Sequence, residues 1–572
     1  MKRNLYVLLS LLVLASMVLA ACGGGAETEP PAVSTEPAAP EATEPAATEP
    51  AAPIQSGIAV VTFVQQPTTL SPLYQTQWFS SITTQLWLKG LWSFDSDNNA
   101  IPEIAAEIPS ASNGGLSEDG MTLTIKLRDD VLWSDGEPVT ANDFVFTYEM
   151  FVSDKNVVSS TYPYADYVTS MEAPEDTTLV VHFNAPFAAW LTTLFNTGVL
   201  PEHVLRPVFD ADGTLDNAAW NTAPTVGVGP FVFTEWETDS HLIFEANPNW
   251  IRPAKLQQVF IRIADDAAQE VAILAGDTDI GTFLDWSQAD AINSSGKATF
   301  VTQPSGYDEG WFLNFDPETA HPAMLDVNVR KAIVMATDRE KIVNDLLGGL
   351  TAVPATFWDS TPPYGNPDIS PYPYNAEEAG SLLETAGWVD SNGNGTRDKD
   401  GVELVLRYIS NQRQLRKDVQ AVVQQMWGQV GIGVELVNYG DDFFNSYADG
   451  GPIATGNYDI AEWSDVTSFP DPEQSSYWLC SQVVGPDNPD GGNWQGYCNP
   501  ELDALFDQQA TETDPEARKQ LYYQIGQIMF DNVVWVGLWK DPDLWAVSNR
   551  LQGVKFSGAS PFWNAHEWSI SE

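Results

Sequence analysis

The chain has 572 residues, 43% of them hydrophobic, which is enough for several packed cores and excludes both a short module and a wholly disordered chain. Its 78 acidic residues outnumber its 26 basic residues and give a net charge of −52. A surface this acidic repels phosphate groups, so we expect no nucleic-acid partner and no electrostatic adhesion to anionic lipid.

The first 21 residues have the pattern of a lipoprotein signal peptide. Lys2 and Arg3 precede an apolar run over 5–21 that is short for a membrane span and ends in small residues. The segment LAAC at 19–22 resembles a bacterial lipobox, whose Cys becomes the lipidated first residue of the mature protein. We therefore expect Cys22 to carry a lipid anchor; the alternative is a plain signal sequence with a chance Cys at that position.

Residues 22–55 are rich in Pro, Ala, Glu and Thr and include no aromatic and no basic residue, which predicts an extended tether. Only six acidic and two basic residues precede residue 54, so the remaining body carries −48 by itself. No later apolar run approaches the length of a membrane span. We expect the body to lie outside the cytoplasm, anchored by lipid at the outer face of the cytoplasmic membrane or in the periplasm.

The first half of the body alternates predicted strands and helices. Thr140 and Asp143 form a capping box, which predicts a helix from there to about residue 151. A strand, a helix and a short strand at 259–263, 267–275 and 278–282 predict a crossover unit. Further strands are predicted at 58–64, 121–127, 178–183, 231–235 and 242–246, the last two as a hairpin.

The second half is predicted to be more helical. Apolar residues at helical spacing, such as Leu415, Val419 and Val423, predict a helix near 415–428 with one face on a sheet. The other predicted helices span 328–336, 339–347, 376–386, 501–511 and 515–532, and the predicted strands span 404–408, 434–437 and 533–538. Such a long mixed α/β body should divide into lobes with a cleft between them.

The cysteine content fits an oxidising compartment. Once Cys22 is assigned to lipid, Cys480 and Cys498 remain, on either side of a loop rich in Gly, Pro, Asp and Asn. We expect them to form a disulfide that stabilises the fold by about 3 kcal/mol. Two free buried thiols are the alternative.

The sequence offers no support for catalysis. It lacks the HExxH, GxSxG and Walker motifs, and its five His residues never fall two to a helical turn. A catalytic triad assembles from distant positions, so these absences leave a hydrolase as a remaining alternative.

One loop has part of a calcium-binding pattern. Its oxygen ligands would be Asp390, Asn392, Asn394, Thr396 and Asp398, with Gly395 at the sixth position. The twelfth position, which should be a bidentate Glu, is Gly401. An Asx-rich turn is therefore the favoured interpretation, and Ca²⁺ is the one cofactor that we consider.

Several short segments together resemble one known family over about residues 57 to 550. They are LSEDGMTLTIKLR at 116–128, VLWSDGEPVTANDF at 131–144, VGVGPF at 226–231, NPNW at 247–250, DVNVRKA at 326–332, ATDR at 336–339, AGW at 386–388 and YCNPELD at 497–503. In order and spacing they resemble the extracellular solute-binding proteins of the dipeptide, oligopeptide and nickel ABC importers, family 5. Val228 replaces the Thr of the family's Gly-Thr-Gly-Pro-Tyr element.

The resemblance implies an α/β fold with two lobes. It would be a periplasmic-binding-protein-like clamp of type II, cluster C, with an additional domain inserted in the first lobe. On the family layout, lobe I comprises 56–85, 216–303 and 539–572, the inserted domain 86–215, and lobe II 304–538. The two crossings between the lobes would act as hinges, and a ligand would shift the equilibrium from open to closed.

The resemblance also implies where the ligand ammonium binds. In peptide-binding members, an Asp in a Trp-x-x-Asp…Asp-Pro stretch binds it, and the matching stretch here runs from Trp463 to Pro472 with extra residues. Asp465 and Asp471 therefore compete for this role. A turn or capping role is the alternative for both, and it is favoured for Asp471, which lies between two prolines.

Three further residues are implied by position. Arg413 lies where some dipeptide-binding relatives place a carboxylate-binding Arg, near a helix N-terminus that disfavours a cation; a surface Arg is the alternative. Trp311 and Asn314 fall where the second lobe enters the cleft, with a core position as the alternative for Trp311. The 21 Trp residues would also suit sugar rings, which some family members bind.

We therefore expect a lipid-anchored, monomeric binding protein without catalytic activity. It would capture short peptides and deliver them to the permease subunits of an ABC importer. A binding protein for an oligosaccharide or another nonpeptide solute is the second hypothesis. A secreted hydrolase is the third, although it would need an activated nucleophile that the sequence does not reveal.

Overall fold

Three stretches of the chain that are far apart in sequence build a seven-stranded sheet, here called the first sheet. The computed structural model describes residues 57–196, 198–440, 442–489 and 491–571. In spatial order the strands are Ala298–Gln303, Asp543–Ser548, Ile280–Gly281, Ile58–Phe63, Gln258–Ile263, His241–Ala246 and Phe231–Glu237. Ile58–Phe63 is parallel to both of its neighbours, and its buried Ala59, Val61 and Phe63 contribute to the core.

Five strands form the second sheet. In spatial order they are Gly433–Tyr439, Val405–Asn411, Ile460–Asp465, Asp308–Leu313 and Trp535–Lys540. The first three are parallel to one another, and Asp308–Leu313 is antiparallel to both of its neighbours. The chain passes from the first sheet to the second between Gln303 and Asp308 and returns between Lys540 and Asp543. These two short connections are called the crossings below.

A third, antiparallel sheet of three strands lies within 122–183. Its strands are Thr122–Lys126, Thr178–Phe183 and Val168–Glu175. Pairs of short strands are Trp92–Phe94 with Ala100–Pro102, Asp398–Lys399 with Val402–Glu403, and Leu551–Gln552 with Ser569–Ile570. The domain boundaries stay a prediction, and the strand Trp535–Lys540 of the second sheet runs past the predicted end of lobe II at 538.

Helices cover the faces of these sheets. They are Trp78–Trp87, Ala141–Val152, Tyr164–Tyr167, Trp190–Thr193, Glu202–Asp212, Asp266–Ala275, Ala289–Ser294, Val327–Met335, Arg339–Leu346, Ala376–Thr385, Gln414–Gly428, Pro500–Thr511 and Pro515–Asn532. Short 3₁₀ turns span Ala219–Asn221, Trp286–Gln288, Pro322–Leu325, Ser475–Tyr477, Cys480–Gln482 and Ala565–Glu567. None of the helices in the described part of the chain has the length and apolar character needed to cross a membrane.

Local sequence signals account for several of these elements. The backbone N–H of Thr140 donates to the Asp143 carboxylate at 2.8 Å at the start of Ala141–Val152, as the capping box predicts. The predicted hairpin is present as Phe231–Glu237 and His241–Ala246. The predicted strand at 533–538 begins two residues later, because Val533 has a φ of 48° and ends the preceding helix.

The predicted signal peptide at 1–21, lipidated Cys22 and tether at 22–55 lie outside the described residues. They remain predictions.

Candidate ligand-binding site

A cavity of about 620 Å³ lies between the first and second sheets, beside the crossings. The part of the chain around the first sheet contributes Trp78, Asp266, Phe283, Asp285 and Leu544. The second sheet and its helix contribute Asn411, Arg413, Arg416 and Ser464, and the crossings contribute Tyr307, Asp541, Pro542 and Asp543. The volume falls in the range of about 300–1,000 Å³ that is typical of small-ligand sites.

A second cavity, of about 340 Å³, adjoins the crossings. It is lined by Ser305, Thr351, Ser360 and Lys540 among others, and it shares Tyr307 and Pro542 with the larger cavity. The crossings therefore form part of the wall of both cavities.

Arg413 lines the larger cavity, where the sequence analysis expected a cleft residue. The strand Val405–Asn411 ends just before it and the helix Gln414–Gly428 begins just after it, so Arg413 lies at the carboxyl end of a parallel strand. Ligands of open α/β sheets bind at this edge. The Arg413 side chain is 36% exposed, and its Nη1 lies 4.0 Å from Glu309 Oε2 and 3.9 Å from Asp541 Oδ2.

Arg416, one helical turn further on, is held by a buried carboxylate. Its Nε and Nη2 donate to the two oxygens of Glu309 at 2.7 and 2.9 Å, and Glu309 is fully buried. Burial raises the pKa of Glu309 while Arg416 opposes that rise; burial alone would lower the pKa of Arg416, but Glu309 raises it. This ion pair holds Arg416 in place at the wall of the cavity. Of the two arginines that line the cavity, Arg413 has the more accessible side chain.

Two more acidic residues are buried in the strands of the second sheet. Burial, and then the charge of Glu309, raise the pKa of Glu462 well above its ordinary value, and the Tyr408 hydroxyl donates to its carboxylate. Burial likewise raises the pKa of Asp308, to which Ser360 donates at 2.6 Å. The sequence analysis missed these residues and Glu309; acidic residues inside an otherwise apolar strand were the available signal.

Asp465 ends the strand Ile460–Asp465 and does not line the larger cavity. Its Oδ2 accepts from the Trp463 indole and its Oδ1 from the Val466 N–H, both at 2.8 Å. Burial raises its pKa to about 6, against the effect of these donors and of Tyr477. Burial and the neighbouring carboxylates, including that of Asp465, raise the pKa of Tyr307, which lines the cavity. Asp465 is therefore near the site, with its own hydrogen-bond partners.

Asp471 is used for internal structure, which argues against its competing role as an ammonium ligand. Its two oxygens accept from Arg518 Nη1 and Nη2 at 2.6 and 2.9 Å. Asp471 is 3% exposed and Arg518 is 4% exposed. A carboxylate already paired in this way has no free face for a ligand in the cavity.

Three other predicted ligand-binding residues, Trp311, Asn314 and Trp463, are core residues rather than cavity residues. Trp311 is fully buried and its indole donates to the Tyr408 hydroxyl at 2.8 Å. Asn314 is fully buried and donates to the carbonyls of Gly456 and Tyr458. Trp463 is 2% exposed and stacks on Phe312 with ring centroids 3.6 Å apart. Seventeen of the 21 Trp side chains are buried, so most of them serve packing.

The residues that line the cavity near the crossings were not predicted from the sequence. Ser305 donates to Asp543 Oδ1 at 3.0 Å, and Asp543 Oδ2 is buried with no hydrogen-bond partner among the described residues. Burial, and more weakly Asp541, raise the pKa of Asp543 to about 7. Phe283 is 67% exposed and has a φ of 55°, a backbone strain that is tolerated mostly at functional positions.

The proposed calcium loop makes hydrogen bonds within itself. The Asp390 carboxylate accepts from the N–H groups of Gly393, Asn394 and Gly395, and Asp398 accepts from Ser391. These bonds match the Asx-rich turn that the sequence analysis favoured. No group of three or more metal-binding His, Cys, Asp or Glu side chains occurs among the described residues, and calcium binding by Asn392 and Thr396 stays a prediction.

Cys480 and Cys498 are joined in the structure, with Cα atoms 4.6 Å apart. Asn488 and Asn493, inside the loop that the disulfide closes, donate to three backbone carbonyls of that loop and to the carbonyl of Leu479 just before it. The loop is therefore held by both the disulfide and side-chain hydrogen bonds.

The chain is similar to known solute-binding proteins along most of its length. It is 27% identical over 587 aligned residues to the oligopeptide-binding protein AppA of Bacillus subtilis, covering 100% of this chain and 99% of that protein. The solved structure of AppA with a nonapeptide has a TM-score of 0.67 at 24% identity, covering 91% of this chain and 100% of that one. The substrate-binding protein CtaP of Listeria monocytogenes has a TM-score of 0.74 at 21% identity, with coverage of 91% and 100%.

These solved structures show the same fold, a two-lobed α/β clamp. The family model for bacterial extracellular solute-binding proteins, family 5 Middle, matches residues 100–486, which is more than half of the chain. The chain therefore belongs to the bacterial extracellular solute-binding proteins of family 5.

Proposed function

We propose that this protein is the substrate-binding component of an ABC importer and that it captures short peptides outside the cytoplasm. The observation that carries the proposal is the 620 Å³ cavity between the two sheets, in a chain related over its full length to an oligopeptide-binding protein. Residues of both sheets line this cavity. A peptide that contacts both sides binds the closed form better than the open form and so shifts the population toward closure.

Arg413 is the residue that we assign to the peptide carboxylate. Its side chain lines the cavity and is partly exposed, and its nearest carboxylates lie at about 4 Å, beyond a hydrogen bond. A peptide carboxylate that approaches it would form a charge-assisted, bidentate bond. Asn411 and Ser464, which line the same cavity, offer polar groups for the peptide backbone.

We infer that the protein binds its ligand without converting it and works as a monomer attached to the membrane. Lipidation of Cys22 would provide the anchor, and residues 22–55 would allow the body to reach the permease. The loop disulfide between Cys480 and Cys498 fits an oxidising compartment outside the cytoplasm.

The first test compares peptide and glycan pools by thermal shift and then measures peptide affinity by calorimetry. We expect peptides to raise the Tm of the protein. Arg413→Ala should weaken binding of a peptide with a free carboxylate by about tenfold or more, because a charge-assisted bond is lost. Binding of the same peptide with an amidated C-terminus should not change.

Lys417→Ala is the matched control, because Lys417 lies in the first turn of the helix that follows Arg413 but does not line the cavity. It should leave both affinities unchanged. Stabilisation by glycans alone would reject peptide capture in favour of an oligosaccharide ligand, and turnover of any ligand would support the hydrolase hypothesis.

A further inference from the structure

The larger cavity contains more carboxylates than free cations. Four aspartates line it: Asp266, Asp285, Asp541 and Asp543. The two arginines that line it are Arg413 and Arg416. Arg416 is neutralised by Glu309 through two short hydrogen bonds, so one arginine remains for four carboxylates. The cavity therefore has a negative potential, which attracts cations and repels anions.

Asp543 differs from an ordinary surface carboxylate. Its Oδ1 accepts from Ser305, but its Oδ2 is buried and has no hydrogen-bond partner among the described residues. Asp266, Asp285 and Asp543 form no ion pair with a described Lys, Arg or His side chain, whereas Asp541 Oδ2 lies 3.9 Å from Arg413 Nη1. A buried, unpaired carboxylate is costly, and a positively charged ligand group in the cavity would reduce that cost.

Aromatic rings form another part of the same cavity. Phe283 and Tyr307 are 67% and 41% exposed, and the ring of Trp78 lies 6.2 Å from that of Phe283. Exposed aromatic faces attract ammonium and guanidinium groups, and this attraction adds to that of nearby carboxylates. Rings and carboxylates together are therefore suited to a cationic group with an apolar stem.

From this arrangement we infer that the cavity selects positively charged ligands, with Asp541 and Asp543 at the crossing as the residues that hold the ligand's cationic group. That the ligand is a peptide rests on the proposed function, whereas the charge preference follows from the cavity alone. The favoured ligands are short peptides with a Lys or Arg side chain. Acidic peptides are disfavoured, because they place a like charge against four aspartates.

The test measures, by calorimetry on the purified protein, the affinities of three tripeptides that differ in charge: Ala-Lys-Ala, Ala-Ala-Ala and Ala-Glu-Ala. We expect affinity to fall in that order, by about tenfold or more from the first to the last. Asp541→Asn and Asp543→Asn should each reduce the difference between the lysine and glutamate peptides. Asp129→Asn is the matched control, since Asp129 is exposed and does not line the cavity, and it should preserve the difference.

The results of these titrations test the charge preference, the assignment to Asp541 and Asp543, and peptide capture separately. Equal or tighter binding of the glutamate peptide would overturn the charge preference while leaving peptide capture intact. A preference unaffected by both cavity variants would overturn the assignment to Asp541 and Asp543. If no peptide binds, spermidine and maltotriose are titrated as nonpeptide probes. Binding of spermidine alone would reject peptide capture and support the inference; binding of maltotriose, or of neither, would overturn it.

Discussion

Three aspartates of this protein, Asp308, Asp471 and Asp543, have different partners for their carboxylates. Asp471 forms a two-bond ion pair with Arg518, whereas Asp308 and Asp543 each accept from a single Ser hydroxyl, on Ser360 and Ser305. The first carboxylate is in an ion pair, and the other two are in none among the described residues. We therefore expect Asp471 to contribute to the stability of the fold and Asp543 to be available to a ligand.

For Asp543, we expect a stability effect that depends on pH. Burial raises its pKa to about 7 in the folded protein, against the 3.8 of an ordinary Asp, with Asp541 as the nearby like charge. The folded state then holds the proton more tightly than the unfolded state, so stability falls as pH rises from about 4 to about 7, and the cost is complete above pH 7.

Asp543→Asn removes this cost and should raise the Tm by about 1–3 °C at pH 8, with a smaller gain at pH 4.5. Thermal unfolding of both proteins at the two pH values measures it. A gain in Tm that is equal at both values would contradict a raised pKa for Asp543.

For Asp471, we expect a structural role. Asp471→Asn leaves Arg518 charged and buried, bonded to Gln509 but without its carboxylate, and should lower the free energy of unfolding by about 3–5 kcal/mol. Denaturant unfolding measures this loss, with Asp129→Asn as the control for an exposed charge. Below the unfolding transition, ligand affinity should be unchanged; a lost affinity with normal stability would restore Asp471 as a ligand residue.

Elements with a local signature were predictable from the sequence, and those with distant partners were not. The alternating strand Thr178–Phe183 was predicted residue for residue, since every signal for it lies within six residues. The strand Asp308–Leu313 was missed because it opens with Asp308 and Glu309, and the Arg416 that donates two hydrogen bonds to Glu309 comes 107 residues later. The short connection Asp541-Pro542-Asp543 reads as a turn, so nothing in the sequence marked it as part of a cavity.

The same limit applies to the predicted site. Arg413 was expected at the cleft because some dipeptide-binding relatives place a carboxylate-binding Arg at this position, between a strand end and a helix start. Trp311 and Asn314 lie on or just after a central strand, and whether such a residue faces core or cleft depends on what packs on each side. That information is not local in the sequence.

The loop closed by Cys480 and Cys498 provides a test of one element. Cys480→Ser with Cys498→Ser should lower the free energy of unfolding by about 3 kcal/mol, because an 18-residue separation is no longer constrained in the unfolded chain. Denaturant unfolding with and without reductant measures this. Reductant should destabilise the parent protein by a similar amount and leave the double variant unchanged; equal stability in all four cases would mean that the thiols are free.

The two sheets are joined through the crossings, and the fold is a clamp, so we expect ligand to change the overall dimensions. Small-angle X-ray scattering should show a smaller radius of gyration with a saturating lysine tripeptide, since closure brings the lobes together. The glutamate tripeptide at the same concentration is the comparison and should reduce the radius less, because it binds about tenfold more weakly. An unchanged radius at a ligand concentration that calorimetry shows to be saturating would argue against closure.

Because Asp543 lies at a crossing, its contact with a ligand would affect two steps of ligand capture differently: retention by the open protein and closure of the lobes. In the predicted hinge motion the lobes rotate about the crossings, so a cation held there would stay in place whether the clamp is open or closed. A contact of equal strength in both states shifts no population. The carboxylates would thus govern how firmly the open protein retains an arriving ligand. The side chains that move with the lobes, Phe283 on one side and Arg413 on the other, would determine how completely it closes.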